Sequence, residues 1–205
     1  MTEFSGTKEL IFDVFIEMTS SLGYENVSMR DIAGKVGIKV SSIYNHFEGK
    51  QSILDVVYDY YRKHYFDNQK PLDFMKKLVE TASAGEIVRT LARTFENEDQ
   101  KKYVRMILIT KIVYMRLFQD TVANTITAEH NKSDVEYVVN VLKHGIDIGR
   151  IDPDFDLETF ANVLIDSYTM MGIKAFAGTA YKVGQLDQEK LLIDMLSKLL
   201  STALR

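Results

Sequence analysis

The stretch VGIKVSSIYNHFEGK, residues 36–50, decides the fold. Gly37 stands between Val36 and Ile38, where a chain leaving a helix needs a residue free to turn. A short segment, 40–46, follows, with Ile43 and Phe47 at the spacing of one inward face. Tyr44, Asn45 and His46 are consecutive, so a helix cannot bury all three. A phenol, an amide and an imidazole side by side on an exposed surface suit a polar partner.

Upstream, Ile11, Val14, Phe15, Met18 and Leu22 recur at helical spacing and predict an amphipathic helix over 7–22, ended at Leu22-Gly23. Ser28 then caps a second helix, with Asp31 three positions on as a capping-box variant. Met29, Ile32, Ala33 and Val36 form its apolar face. Ala33 is small enough for a close crossing, and Val36, Ile38 and Ile43 supply the seam. Two short helices joined at a glycine describe a helix-turn-helix, whose second helix presents its N-terminal end and outer face to a major groove. After the break at Gly49 a long helix is predicted over 50–69, with Ile53, Leu54, Val57, Tyr61 and Tyr65 on one face.

The side chains divide by chemistry. Tyr44 and His46 can donate to phosphate oxygens, and Lys39 and Lys50 can neutralise phosphates on either side. Val40, Ser41, Ser42 and Asn45 suit base edges: an amide reads adenine, a hydroxyl is permissive, and an apolar group meets a thymine methyl. With Ser28 and Arg30 these complete the candidate DNA-binding set. The whole chain has a formal net charge of −4, which argues mildly against nucleic acid. Within 28–50 the balance reverses: Arg30, Lys35, Lys39 and Lys50 stand against Asp31 and Glu48.

Gly23-Tyr24, Ser28-Met29-Arg30-Asp31-Ile32-Ala33, Gly37-Ile38, Tyr44-Asn45-His46-Phe47 and Lys50 together resemble the DNA-binding domain of the tetracycline-repressor family of bacterial transcription regulators, over roughly residues 7–55. Glu48-Gly49 departs from the pattern and puts a negative charge near the DNA backbone. The resemblance implies an all-helical homodimer that represses from a palindromic operator and is released by a small molecule bound in its C-terminal domain. The expected division is a helix-turn-helix domain at 1–49 and a helical regulatory and dimerisation domain at 50–205, with helix 50–69 connecting them.

In the remaining chain, helices are predicted near 71–81, 85–95, 99–118, 119–131, 134–149, 156–178 and 187–204. No period-two alternation predicts a sheet. The segment 149–156 reads as a turn with Asp156 capping the next helix, and 178–187 as the longest loop. On 101–118, Tyr103, Ile107, Thr110, Tyr114 and Phe118 share one face, which is either plain core or the wall of a ligand pocket faced by Val138, Leu142, Tyr168 and Met171. Arg105, Lys111 and Arg116 are solvated, paired, or turned to an anionic ligand. The last two helices carry wide apolar stripes, and Leu164, Tyr168, Gly172, Ala175, Leu192, Met195, Leu196 and Leu199 are the candidate dimer contacts, in a four-helix arrangement with a second copy.

Other classes find little support. The chain has 205 residues, of which 46% are hydrophobic and 26% charged. That is a globular balance, in a chain long enough to bury a core. With no cysteine, disulfides, thiol chemistry and cysteine-ligated zinc are excluded. His46, His64, His130 and His144 are scattered, without metal-ligand spacing, and neither a Gly-x-Ser-x-Gly nor a Walker loop occurs. An enzyme, a cofactor and a metal are therefore not expected. No apolar run approaches the length of a membrane span, ~20 residues. The expected location is the cytoplasm. A regulator governed by a protein partner, or by no ligand, remains open beside the small-molecule reading.

Overall fold

The computed structural model describes residues 6–92, 99–176 and 188–205. Among these the chain forms helices α1 (Thr7–Leu22), α2 (Met29–Val36), α3 (Val40–Ile43), α4 (Lys50–His64), α5 (Leu72–Thr81), α6 (Ala84–Ala92), α7 (Gln100–Arg116), α8 (Thr121–Asp147), α9 (Leu157–Phe176) and α10 (Gln188–Ala203). The fold is all-α. The described residues hold no strand, only one isolated bridge between Ile151 and Leu204.

The chain divides into two compact units, 1–67 with 97–126 and 68–96 with 127–205. In the first, α1 packs against α2, α4 and α7, and α4 also packs against α7. Ile11, Phe12, Phe15, Ile32, Ile43, Ile53, Leu54 and Val57 are buried there, with Ile109, Ile112 and Val113 from α7. Each such side chain contributes about 1.5–3 kcal/mol by leaving water. The second unit closes around Met75, Val79, Ile87, Val88, Val141, Leu142, Phe160, Leu164, Leu196 and Leu200.

Several predicted boundaries move. The segment predicted as helix over 40–46 is helical only to Ile43 and continues as a turn. Helix 50–69 gives way after His64 to a 3-10 turn over Tyr65–Asn68. The break predicted between 131 and 134 does not exist: α8 runs unbroken from Thr121 to Asp147. No proline or glycine interrupts 119–144, and Asn131, Lys132 and Ser133 are tolerated within a helix held by packing. The turn at 149–156 is present, and Asp156 caps α9 by accepting from the Thr159 amide at 2.9 Å. The loop predicted at 178–187 lies outside the described residues.

Within the second unit α8 crosses its neighbours closely. A Cβ on Gly145 would stand 2.5 Å from Ile151 Cδ1 and 2.9 Å from Val79 Cγ1. No side chain fits there without displacement.

Candidate nucleic-acid interface

The entry to α2 is fixed by reciprocal hydrogen bonds. The Asp31 amide donates to Ser28 Oγ at 3.2 Å, and the Ser28 amide donates to Asp31 Oδ2 at 2.9 Å. This is a capping box closed by a short acid in place of the usual glutamate. The Ser28 hydroxyl and amide hold the Asp31 carboxyl below its ordinary value. At the other end Gly37 takes the left-handed conformation, φ 80° and ψ 29°. The Gly37 and Ile38 amides both donate to Ala33 O, at 2.9 and 3.0 Å, which closes the turn in the space of one residue. The chain therefore reaches Lys39 already redirected, and α3 packs on α2 through the fully buried Ile43.

After Ile43 the His46 and Phe47 amides both donate to Ile43 O, at 2.8 and 3.0 Å. Phe47 is buried while Tyr44, Asn45 and His46 are exposed, Tyr44 by 53% although it is an aromatic residue. Arg30, Lys39 and Ser41 are also exposed, and Val40 and Ser42 are half-buried. These candidate contacts all lie on α2, on α3 or in the turns that flank them. The other two candidates are occupied. The Ser28 hydroxyl belongs to the cap. The Lys50 ammonium donates to Tyr24 O at 2.9 Å and lies 4.1 Å from the Tyr24 ring centroid. Lys50 thus braces Tyr24 in this structure.

Of the readings left open for the charges of α7, the structure pairs Arg105 and Arg116, whose partners the sequence did not identify. Arg105 donates from Nε to Asp13 Oδ1 and from Nη2 to Glu9 Oε1, each at 2.9 Å, and its side chain is only 12% exposed. Lys101 pairs with Glu9 at 2.7 Å. The Lys101 and Arg105 hydrogen bonds hold the Glu9 carboxyl below its ordinary value. Arg116 pairs with Asp120 at 3.0 Å. A spacing of four residues is one the sequence does display. Nothing in the sequence signals its aromatic partner, Tyr24.

The chain has the geometry of a helix-turn-helix with an exposed turn over Tyr44–His46. The model of the bacterial regulatory proteins of the tetR family matches residues 11–57. Residues 11–57 are therefore of the tetR-family type. It is 23% identical over 157 residues to the HTH-type transcriptional regulator SrpR of Pseudomonas putida, across 77% of this chain and 69% of that relative. Over 48 residues it is 42% identical to the HTH-type negative transcriptional regulator IcaR of Staphylococcus aureus, which is 23% of this chain and 26% of IcaR. In fold it is similar to the ketosteroid transcriptional regulator KstR2 of Mycobacterium tuberculosis, with a TM-score of 0.60 at 20% identity over 99% of this chain and 97% of that one. Each of these relatives is named as a transcriptional regulator and none as an enzyme. No helix among the described residues is long and apolar enough to cross a membrane.

The other candidate sites fare unevenly. The pocket wall expected on 101–118 is rotated: α7 buries Met106, Ile109, Thr110, Ile112, Val113 and Tyr114, while Tyr103 and Ile107 are half-buried. Phe118 is 82% exposed, so it encloses nothing among the described residues. The Thr110 hydroxyl donates to Met106 O of its own helix at 2.8 Å. Val138 and Leu142 are core residues of the second unit, and Tyr168 and Met171 are half-buried in it. Among the dimer candidates Leu164 and Leu196 are corrected: at 1% and 0% exposure they are core, because α9 and α10 turn one edge of each wide stripe inward. Met195 and Leu199 are 54% and 47% exposed, and Gly172 and Leu192 are half-buried. The Ala175 side chain lies outside what is described.

Proposed function

We propose that this regulator is a repressor that binds a palindromic operator as a homodimer in the cytoplasm and releases it when a small molecule binds. Residues 1–49 read the DNA, and 50–205 regulate and dimerise, with α4 as the connection. The observation that carries the reading is the exposed Tyr44-Asn45-His46 turn, held by the buried Ile43 and Phe47 on either side. Tyr44, His46 and Lys39 contact phosphates and set the register, joined by Arg30. Val40, Ser41, Ser42 and Asn45 meet base edges.

The dimer is supported by outward apolar residues on the last two helices. Val163 and Met170 on α9 and Leu191, Met195 and Leu199 on α10 are each more than a third exposed. A scattering of single surface residues does not explain that grouping. A closed two-fold pairing buries them and sets two reading turns one helical repeat apart, ~34–36 Å, or a multiple of it. The effector binds in the second unit on this reading, which one group there supports. There the Tyr168 hydroxyl is buried with no hydrogen-bond partner among the described residues, next to the half-buried Met171 face. Burial pushes its phenol upward.

Selection of duplexes from a random-sequence pool with the full chain tests the reading. An enriched inverted repeat, bound by a sedimenting dimer, is the expected result. Enrichment of no sequence, or tight binding by a monomer, contradicts it.

A further inference from the structure

Arg116 ends α7, and its side chain is 14% exposed. Nε donates to Tyr58 Oη at 3.2 Å, Nη2 donates to Asp120 Oδ2 at 3.0 Å, and Tyr58 Oη itself donates to Asp120 Oδ2 at 2.8 Å. Asp120 is fixed in turn: its other oxygen accepts from the Val122 and Ala123 amides at 2.9 and 3.3 Å, capping α8. The guanidinium so anchored lies 4.3 Å from the Tyr24 ring centroid. Its further pairing with Glu25, at 3.5 Å and with the Glu25 side chain 76% exposed, adds little. Exposed pairs of that kind are screened by water and salt.

Tyr24 is itself fastened to α4. Its carbonyl oxygen accepts from Lys50 Nζ at 2.9 Å, its ring takes the same ammonium at 4.1 Å, and its hydroxyl donates to Gln51 Oε1 at 3.0 Å. Lys50 and Gln51 are the first residues of α4 and closely follow the reading turn and Phe47. Tyr24 also opens the 3-10 turn that delivers Val27 and the Ser28 cap to α2. One ring therefore touches the approach to both sides of the helix-turn-helix. A guanidinium suits this role, because its Nε and Nη2 both reach Asp120 Oδ2, at 3.2 and 3.0 Å, while its planar face is available to the ring, and a compact ammonium offers neither the plane nor the second nitrogen.

We propose that Arg116 is a positioning residue for DNA reading: held by Asp120 and Tyr58, it keeps Tyr24 seated on Lys50 and Gln51, and so fixes the entry of α2 and the start of α4 that bracket the Tyr44–His46 turn. The proposal rests on the DNA-binding reading above. The charge of Arg116 is directed to an internal carboxylate, so its removal takes away geometry and no phosphate contact.

The test uses the full chain and a duplex recovered by selection from a random pool. Arg116→Met weakens binding about tenfold, as loss of a partly desolvated stack together with its geometry would. The slope of log affinity against log salt and the preferred bases stay as in the wild type. Arg116→Lys, which keeps the pair with Asp120 and loses the stack, falls between. Hydrogen exchange in Arg116→Met quickens at the amides of 24–27 and 50–53 as well as at 116–123. Wild-type affinity in either variant overturns the proposal. So does a salt slope reduced by about 0.9, the mark of a lost phosphate contact, or exchange that quickens at 116–123 alone. If Arg116→Met does not fold, Arg116→Lys carries the affinity comparison. The exchange measurement needs no DNA, so a wild type that selects no sequence contradicts the repressor reading while the clamp is still judged by exchange.

Discussion

The Lys50 ammonium is held by one residue twice over, donating to the Tyr24 carbonyl oxygen at 2.9 Å and lying 4.1 Å from the centroid of the Tyr24 ring. A lysine at the start of the helix that follows the exposed Tyr44–His46 turn invites assignment to a phosphate, yet in this structure its charge is directed to Tyr24. Lys50→Met is therefore expected to lower stability by about 1–2 kcal/mol, from one charged hydrogen bond and one cation–π contact. It should change the log–log salt slope of DNA binding by clearly less than the ~0.9 of a lost phosphate contact. A thermal melt and a salt titration of the same variant check both halves.

Gly145 leaves no room for a methyl group against Ile151 and Val79. Gly145→Ala should cost about 1–3 kcal/mol by overpacking, outweighing the gain in helix propensity of about 1 kcal/mol. A denaturant titration should show a lower midpoint, whereas a raised midpoint would mean that α8 and the 149–151 turn separate without cost.

Acid should weaken the first unit through identifiable carboxylates. The Lys101 and Arg105 hydrogen bonds hold Glu9 below its ordinary 4.5. For Asp120 burial alone would raise the value, but the Tyr58 and Arg116 hydrogen bonds outweigh it and hold the group below 3.8. A carboxyl depressed in the folded state contributes stability that is complete above its unfolded value and is lost as pH falls through the folded one. Melting temperature should thus be flat with respect to these two groups from about pH 6 upward and decline below about pH 4.5. Asp120→Asn should melt lower at neutral pH and show a shallower acid decline. An unchanged acid decline would show that Asp120 is not a source of it.

Leu196 and Leu199 share α10 but differ in surroundings, at 0% and 47% exposure. A glutamate at each should separate folding from assembly. Leu196→Glu buries an unpaired charge and should unfold the second unit. Leu199→Glu should leave the helical spectrum intact and give a monomer by sedimentation velocity. A dimeric Leu199→Glu chain would move the interface away from this face of α10.

Much of the first unit was legible because its signals are local. The Ser28–Asp31 cap, the Gly37 turn, and the alternation of buried Ile43 and Phe47 with exposed Tyr44–His46 all operate within a few residues. The continuity of α8 was not legible, since Asn131, Lys132 and Ser133 resemble a break unless tertiary packing overrides propensity. Nor was the role of α7. Arg105 and Arg116 look like surface charges in sequence, and their partners Asp13, Glu9 and Tyr24 belong to the opposite end of the first unit's sequence. The dimer stripes misled for a different reason: width alone does not say which edge of an apolar face turns inward, and Leu164 and Leu196 took the inner edge.

Tyr44 and His46 carry the DNA-reading assignment, and an anisotropy titration of a selected duplex with Tyr44→Ala and His46→Ala tests it most directly. Both side chains are exposed. Their removal should leave the melting temperature within a degree or two, as surface substitutions do. Each variant should bind about tenfold or more weakly than the wild type, with little change in base preference, since the proposed contacts are to phosphates and not base edges. Wild-type affinity in both folded variants would contradict the assignment of this turn as the DNA-reading surface.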